Sequence, residues 1–309
     1  MFQIKNLTKT YGKTTVVDDV SFTLEQNRCI ALIGPNGAGK TTTLRMLTGA
    51  IKRTNGTFIK TDQKEADIRK YIGYLPQEPT FYPWMTGIQF LTYCANIHEL
   101  SKELAKERID EVLKQVDIYD ARNKRIGAYS GGMKQRLGIA QAIIHKPFLL
   151  LLDEPVSALD PIGRRDVLTL MEQLKKEMTI LFSTHILNDA DEVSDELILM
   201  HQGKIVESGN MATLRKKYET AIIDIQFTEN NEVYEQHLRA LPSVIDISKS
   251  RSMMHVSVTD IEDARREILE KSMAEHWPLH HFAINEASLE DMFMKVVQSC
   301  SGSHYLKKS

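Results

Sequence analysis

The nonapeptide Gly34-Pro35-Asn36-Gly37-Ala38-Gly39-Lys40-Thr41-Thr42 constrains this chain more than any other stretch. It satisfies the pattern G-x-x-x-x-G-K-[ST] and follows the apolar run Cys29–Ile33 directly. A buried strand is therefore expected to feed a glycine-rich loop that opens a helix over Lys40–Leu47. The chemistry behind the pattern is the grip on a triphosphate, which needs many oriented dipoles. Glycines let successive backbone N–H groups converge on the β-phosphate, and the following helix offers its positive end. Lys40 can reach the β- and γ-phosphates, and the Thr41 hydroxyl can ligate Mg²⁺. The phosphate-binding set expected here is Gly34, Asn36, Gly37, Ala38, Gly39, Lys40, Thr41 and Thr42.

A second segment answers the first. The run FLLLLDEP at 148–155 is nearly continuous in apolar residues, as a central parallel strand covered on both faces requires. Asp153 closes that strand, where it can hold Mg²⁺ directly or through water. Glu154 follows at the carboxyl edge of the sheet, where ligands of such sheets bind. A carboxylate there can orient and deprotonate an attacking water, so Glu154 is the candidate catalytic residue.

The rest of the first 214 residues alternates strands and helices, the pattern of an α/β fold of the P-loop NTPase type. Strands are expected in FQIKNLTKTY, VVDDVSFTL, after the turn in TNGTFI, at Tyr71–Leu75 and in TILFSTH. Helices are expected over Ser130–Lys146, which Pro147 ends, over Ile162–Glu177 and over Ile186–Val193. Between Ile88 and about Val116 apolar residues recur three and four apart, which marks a helical insert. ELILMHQGKIVESG reads as a hairpin about Gln202–Gly203. After Leu214 the pattern restarts as β-α-β-β-α-β-α, a small α+β module of ferredoxin-like order with a closing helix at Ser288–Val297. The charged stretch Arg215–Tyr218 is the expected boundary. The division is thus 1–218, with a helical subdomain at about 86–145, then 219–299, and a disordered tail at 300–309.

Composition removes several classes. With 39 basic against 41 acidic side chains, the chain lacks the basic excess of a dedicated nucleic-acid binder. Cys29, Cys94 and Cys300 are far apart and match no metal spacing, which fits free thiols in a reducing compartment. The first residues lack the apolar core of a signal peptide, and no apolar run is long enough to span a bilayer. Any membrane role is expected to come through a partner.

Tyr129-Ser130-Gly131-Gly132-Met133-Lys134-Gln135-Arg136 resembles the signature sequence of the ABC ATPases, which usually reads L-S-G-G-Q, and it lies just ahead of the Asp153–Glu154 strand as in that family. Gln77 in YLPQE looks like the Q-loop glutamine, Ser157-Ala158-Leu159-Asp160 like the D-loop, and His185 like the switch histidine. Tyr11, in the T-x-Y-G context, looks like the adenine-stacking aromatic. The resemblance implies ATP and Mg²⁺, with Thr41, Gln77 and Asp153 around the metal and Glu154 and His185 as catalytic residues. It implies a second copy of this chain, or a homologous ATPase subunit, packed head to tail. Ser130, Gly131 and Gly132 would then face the γ-phosphate held by the other subunit, with Asp160 bridging the two. Tyr129 and Met133 depart from the usual leucine and glutamine, leaving the serine hydroxyl and glycine N–H groups in place.

Phe81-Tyr82-Pro83-Trp84-Met85 has two readings: packing of the insert on the core, or a docking surface for transmembrane permease subunits. The closing Leu289-Glu290-Asp291-Met292-Phe293 resembles the end of ATPases that serve two-component exporters of the ABC-2 type. The implied function is ATP hydrolysis driving export from the cytoplasmic face of the cell membrane, with the protein bound there peripherally. The alternative is a soluble ABC-type ATPase acting on ribosomes or DNA. His276, His280 and His281 cluster in sequence, but neighbours on a strand point to opposite faces, so no metal site is assigned to them.

Overall fold

The computed structural model describes the chain except residues 62–66, 219–220, 229–230, 251, 286–288, 290–291, 294–295 and 297–309. The expected tail at 300–309 and most of the expected closing helix lie outside the described residues. Two compact units divide the chain, Met1–Met211 and Ala212–Lys295.

In the first unit, strands β1 (Phe2–Tyr11) and β2 (Thr14–Leu24) form an antiparallel hairpin, and β4 (Asn55–Lys60) pairs with β1 on its other side. The expected strand β3 (Cys29–Ile33) is buried along its whole length and delivers the chain to helix α1 (Lys40–Leu47). Helix α1 lies within the core. Its Leu44, Met46 and Leu47 pack in one cluster with Ile4, Leu7 and Val20 of the antiparallel sheet and with Ile30, Leu149 and Leu181 of the second sheet.

That second sheet has six strands in the order β5-β6-β7-β3-β8-β9. Its members, besides β3, are β5 (Ile72–Leu75), β6 (Leu149–Asp153), β7 (Thr179–Thr184), β8 (Glu196–His201) and β9 (Lys204–Asn210). The ladder is parallel from β5 to β8, and β9 returns as the expected hairpin. β6 and β7 are fully buried, which accounts for the apolar runs Leu149–Leu152 and Ile180–Phe182 within them.

The helical insert expected between Ile88 and about Val116 is two helices, α2 (Gly87–Ile97) and α3 (Lys102–Gln115), not one run. The break has a local cause: Glu99 takes a left-handed φ of 57°, and Ser101 caps α3 by accepting from Leu104 N. Thr86 and Gln89 form a reciprocal capping box at the start of α2. Helix α4 (Gly131–Ile143) stops short of the expected Lys146. The buried guanidinium of Arg108 on α3 takes the carbonyls of Ile143 and Ile144, and Lys146 turns to φ 54°. Helices α5 (Pro161–Leu174) and α6 (Leu187–Val193) flank β7 in sequence.

Helix α7 (Met211–Tyr218) occupies the charged stretch read as a boundary. Beyond it, β10 (Ile222–Phe227), α8 (Asn231–Arg239), β11 (Val244–Ser250), β12 (Met253–Val258), α9 (Ile261–Ala274) and β13 (Leu279–Asn285) follow in the expected sequence. Their sheet is antiparallel with order β11-β12-β10-β13, the ferredoxin-like arrangement. Alternate residues Ile223, Ile225 and Phe227 are buried with Leu238, Ile268 and Trp277.

Tyr129, the departure from the usual leucine, is buried, and its hydroxyl donates to Ala121 O at 2.8 Å. A Cβ on Gly87 would lie 2.4 Å from that hydroxyl oxygen but 3.5 Å from the ring carbon behind it. The glycine at the first position of α2 thus makes room for the tyrosine. Gly87→Ala should destabilise the chain by about 1–3 kcal/mol through overpacking. In a Tyr129→Phe background the same change should cost less than about 1 kcal/mol, because the obstructing atom is gone. Urea unfolding of the four variants measures this, and equal costs in both backgrounds would refute the packing argument.

Candidate functional site

The parallel register brings four strand ends to one edge. β5 leads two residues on to Gln77, β6 ends at Asp153 before Glu154, β7 ends before His185, and β3 runs into the 34–39 loop. A cavity of about 350 Å³ opens there, lined by Val16, the loop residues Asn36 to Thr42, Gln77, Glu154 and His185. Its size is within the range of small-ligand sites.

The loop is shaped by close approaches. Gly37 and Gly39 take φ of 82° and 102°, and nothing lies within 4 Å of a Cβ placed on Gly37, so backbone faces open space on the ligand side. Gly34 serves packing instead, since its Cβ would meet Met200 O at 2.3 Å. Lys40 is nearly buried and donates to Gly34 O at 2.6 Å and Pro35 O at 3.1 Å, folded over its own loop. Burial holds its ammonium below the usual lysine range, opposed by the carboxylates of Glu154 and Asp153.

Asp153 is fully buried. Its Oδ1 accepts from Thr41 Oγ1 at 3.0 Å and Ser183 Oγ at 2.7 Å, whereas its buried Oδ2 has no hydrogen-bond partner. An orphaned carboxylate oxygen beside a threonine hydroxyl, at the end of a phosphate loop, is a donor set suited to a hard divalent cation. Glu154 adopts a left-handed φ of 49°, uncommon for a residue other than glycine. Its Oε2 accepts from Gln77 Nε2 and its Oε1 lies against His185 Nδ1, both at 3.2 Å. Gln77, Glu154 and His185 therefore form one polar row across the mouth of the cavity.

Sequence reasoning missed Ser183. Its hydroxyl accepts from Glu154 N at 3.0 Å while donating to Asp153 Oδ1, so one buried group spans both acidic residues. The signal for it was present: a small polar residue inside the apolar strand TILFST, opposite Asp153 in register.

The expected residues do not all meet. Tyr11 is half exposed at the end of β1, with Lys9 Nζ 4.5 Å from its ring centroid, and it does not line the cavity. Ser130, Gly131, Gly132 and Asp160 line a different cavity of about 520 Å³, together with Met133 and Arg136. Ser130 caps α4 by accepting from Met133 N at 3.2 Å, which leaves its own O–H to donate outward. Gly131 has nothing within 4 Å of a Cβ position.

The family model for ABC transporters matches residues 17–157, and the model for the C-terminal domain of DrrA1-3-like ATP-binding proteins matches residues 209–297. The chain is 43% identical over 97% of its length, and the whole length of the relative, to the uncharacterized ABC transporter ATP-binding protein YxlF of Bacillus subtilis. The chain belongs to the ABC transporter ATP-binding proteins. It is also 30% identical to the linearmycin resistance ATP-binding protein LnrL of Bacillus subtilis, covering 96% of this chain and 98% of that one. Among solved structures it is similar to the dimeric cassette MJ0796, with a TM-score of 0.60 and 26% identity over 68% of this chain and 99% of that one. As a member of the family this chain is an ATP-binding, ATP-hydrolysing transport ATPase. No helix among the described residues is long and apolar enough to cross a membrane.

Ser183→Ala tests the bridge. It leaves a half-buried Glu154 N–H without its partner, which should cost about 1–3 kcal/mol in urea unfolding. ATP turnover should fall while nucleotide affinity, set by the loop amides, stays within about twofold. Unchanged turnover in the alanine variant would remove Ser183 from the site.

Proposed function

We propose that two copies of this ATPase, or one copy and a homologous subunit, close head to tail over two ATP molecules and drive export through separate transmembrane subunits. The observation that carries this reading is the separation of the two cavities. One chain offers loop, glutamine, glutamate and histidine in one place, and the serine-capped helix end of α4 with Asp160 in another. Each is half of a phosphate cage, and a two-fold pairing makes both whole. The dimeric structure of the MJ0796 cassette supports the same assembly.

In this assembly the amides of residues 36–42 hold the β-phosphate, and Lys40 leaves its own carbonyls to reach the β- and γ-phosphates. Tyr11 offers its exposed ring to the adenine. Thr41, Asp153 and Gln77 would hold Mg²⁺, which when bound neutralises charge on the phosphates. Glu154 accepts the proton of the attacking water, and His185 holds the γ-phosphate side of that water in place. From the other copy, Ser130 and the N–H groups of Gly131 and Gly132 cap the γ-phosphate, and the positive end of α4 stabilises the charge gathering there.

Work leaves through the surface around Phe81–Met85. Phe81 packs edge-on against Phe90 at 5.1 Å, so it anchors α2 to the core. Trp84 and Tyr82 are 67% and 49% exposed, and Tyr82 lies within 6.3 Å of the exposed Tyr93. An exposed cluster of three rings, two of them a few residues after Gln77 in sequence, suits a short helix of a permease subunit. On this reading residues 1–218 are the ATPase domain, 219–299 an accessory module, and the protein sits peripherally at the cytoplasmic face. The likeness to LnrL, a linearmycin resistance ATP-binding protein, supports export as the direction.

Glu154→Gln should bind ATP and run as a dimer on size exclusion, with turnover lowered at least about a hundredfold; wild-type-like turnover would falsify the role of Glu154. Lys40→Ala should weaken ATP binding in a direct titration, and unchanged affinity would count against the grip. A photo-crosslinker at position 84 should label the membrane subunit in the assembled complex. Its failure to do so, with assembly intact, removes docking from this surface.

A further inference from the structure

Outside the phosphate cavity, a chain of contacts runs from Asp160 to His185. Asp160 caps α5: its Oδ1 accepts from Gly163 N at 2.7 Å and its carbonyl from Arg164 N at 2.9 Å. A Cβ on Gly163 would stand 2.9 Å from that same Oδ1, so the turn is closed tightly and Asp160 moves with the first turn of the helix. Arg164, in that turn, donates from Nε to Asp189 Oδ1 at 2.5 Å.

Asp189 is the receiving end. It is fully buried in the first turn of α6, while Arg164 is partly exposed. Its second oxygen lies 3.5 Å from Thr184 Oγ1, and that hydroxyl accepts from Ile186 N at 3.0 Å. Thr184 and Ile186 are the two chain neighbours of His185. A carboxylate taken out of water is tolerated only with its cation and hydrogen bonds in place, so Asp189 has to follow Arg164. Burial raises the Asp189 carboxyl above the usual range and Arg164 opposes it, as expected of a pair whose halves depend on each other. The side chain of His185, by contrast, is 42% exposed and touches Glu154 alone among the recorded side-chain partners, so its backbone anchor decides where the ring points.

We propose that the Arg164–Asp189 ion pair is a positioning element that couples Asp160 to His185 within one chain. It rests on the two-copy reading above: when a second copy seats Asp160, the first turn of α5 shifts, Arg164 carries Asp189 with it, and the histidine is set against the γ-phosphate of its own site. A site would then fire only after its neighbour has docked, and ATP turnover would be cooperative through a contact that touches no nucleotide.

A double-mutant cycle on the full-length chain tests this, reading turnover against ATP concentration with melting temperature and ATP affinity as controls. Asp160→Ala and Asp189→Asn should each lower kcat about tenfold and bring the Hill coefficient toward 1, with ATP affinity kept within about twofold. The double variant should be no slower than the worse single one, because both changes cut the same link. Where Asp189→Asn lowers the folded yield, Arg164→Gln serves in its place, and Arg164→Lys should restore part of the lost rate. Losses that multiply to about a hundredfold in the double variant overturn the coupling while leaving the two-copy reading intact. So does an Asp189→Asn variant with unchanged kcat and Hill coefficient. If Asp160→Ala alone keeps full turnover while Asp189→Asn does not, Asp160 is not the input and the coupling is overturned, while the two-copy reading is judged separately by the dimer of Glu154→Gln.

Discussion

The parallel ladder between β3, β6 and β7 is the constraint on which the rest depends. Cys29 stands beside Ile180 and Leu149 beside Thr179, so the three strands start and end within one residue of one another. Side chains alternate faces along each strand, and a slip of one residue would turn Asp153 away from Ser183 and Thr41. The apolar content of these strands therefore does two things at once. It buries the centre of the sheet, and it holds the register that sets one serine hydroxyl between Asp153 Oδ1 and Glu154 N. Stability and site geometry come from the same bonds, which is why the two acidic residues can be adjacent in sequence and differ in environment. Asp153 points into the protein and is closed to water; Glu154, turned by its left-handed backbone, points to the cavity.

Much of this was legible in the sequence because it is local. The β3-loop-α1 unit keeps the bounds its sequence predicts, since a short apolar run and a glycine-rich loop opening a helix each carry their own signal. The hairpin at Gln202–Gly203 and the β-α-β-β-α-β order of the second unit were legible for the same reason. What escaped was a backbone angle that Glu99 does not advertise, and contacts between residues distant in sequence. The break between α2 and α3 depends on Glu99 tolerating a positive φ, and the early end of α4 depends on Arg108 reaching across from another helix. Ser183 escaped because its importance lies in standing opposite Asp153, 30 residues away. The aromatic run 81–85 split between its two readings, Phe81 packing inward and Trp84 outward, and Tyr93 joined the outer cluster from α2.

The two cavities raise a question that the ladder alone does not answer, namely how events at one reach the other. β7 supplies part of the route, since its last residue is Thr184 and the one before it, Ser183, is the partner of Asp153. α5 supplies the remainder, because the segment after Glu154 passes through Asp160 before it becomes the helix that bears Arg164. Glu154 and Asp160 are thus joined by a short tether of turns, with Ser157 N and Oγ both bonded to Glu154 O. A displacement at Asp160 has two ways into the site, one through this tether to the glutamate and one through α6 to the histidine. Both arrive at the pair His185–Glu154, which are 3.2 Å apart. On the two-copy reading proposed above, with Glu154 as base and His185 orienting the water, two paths from one outside contact would bring both into line together, as hydrolysis that waits on assembly requires.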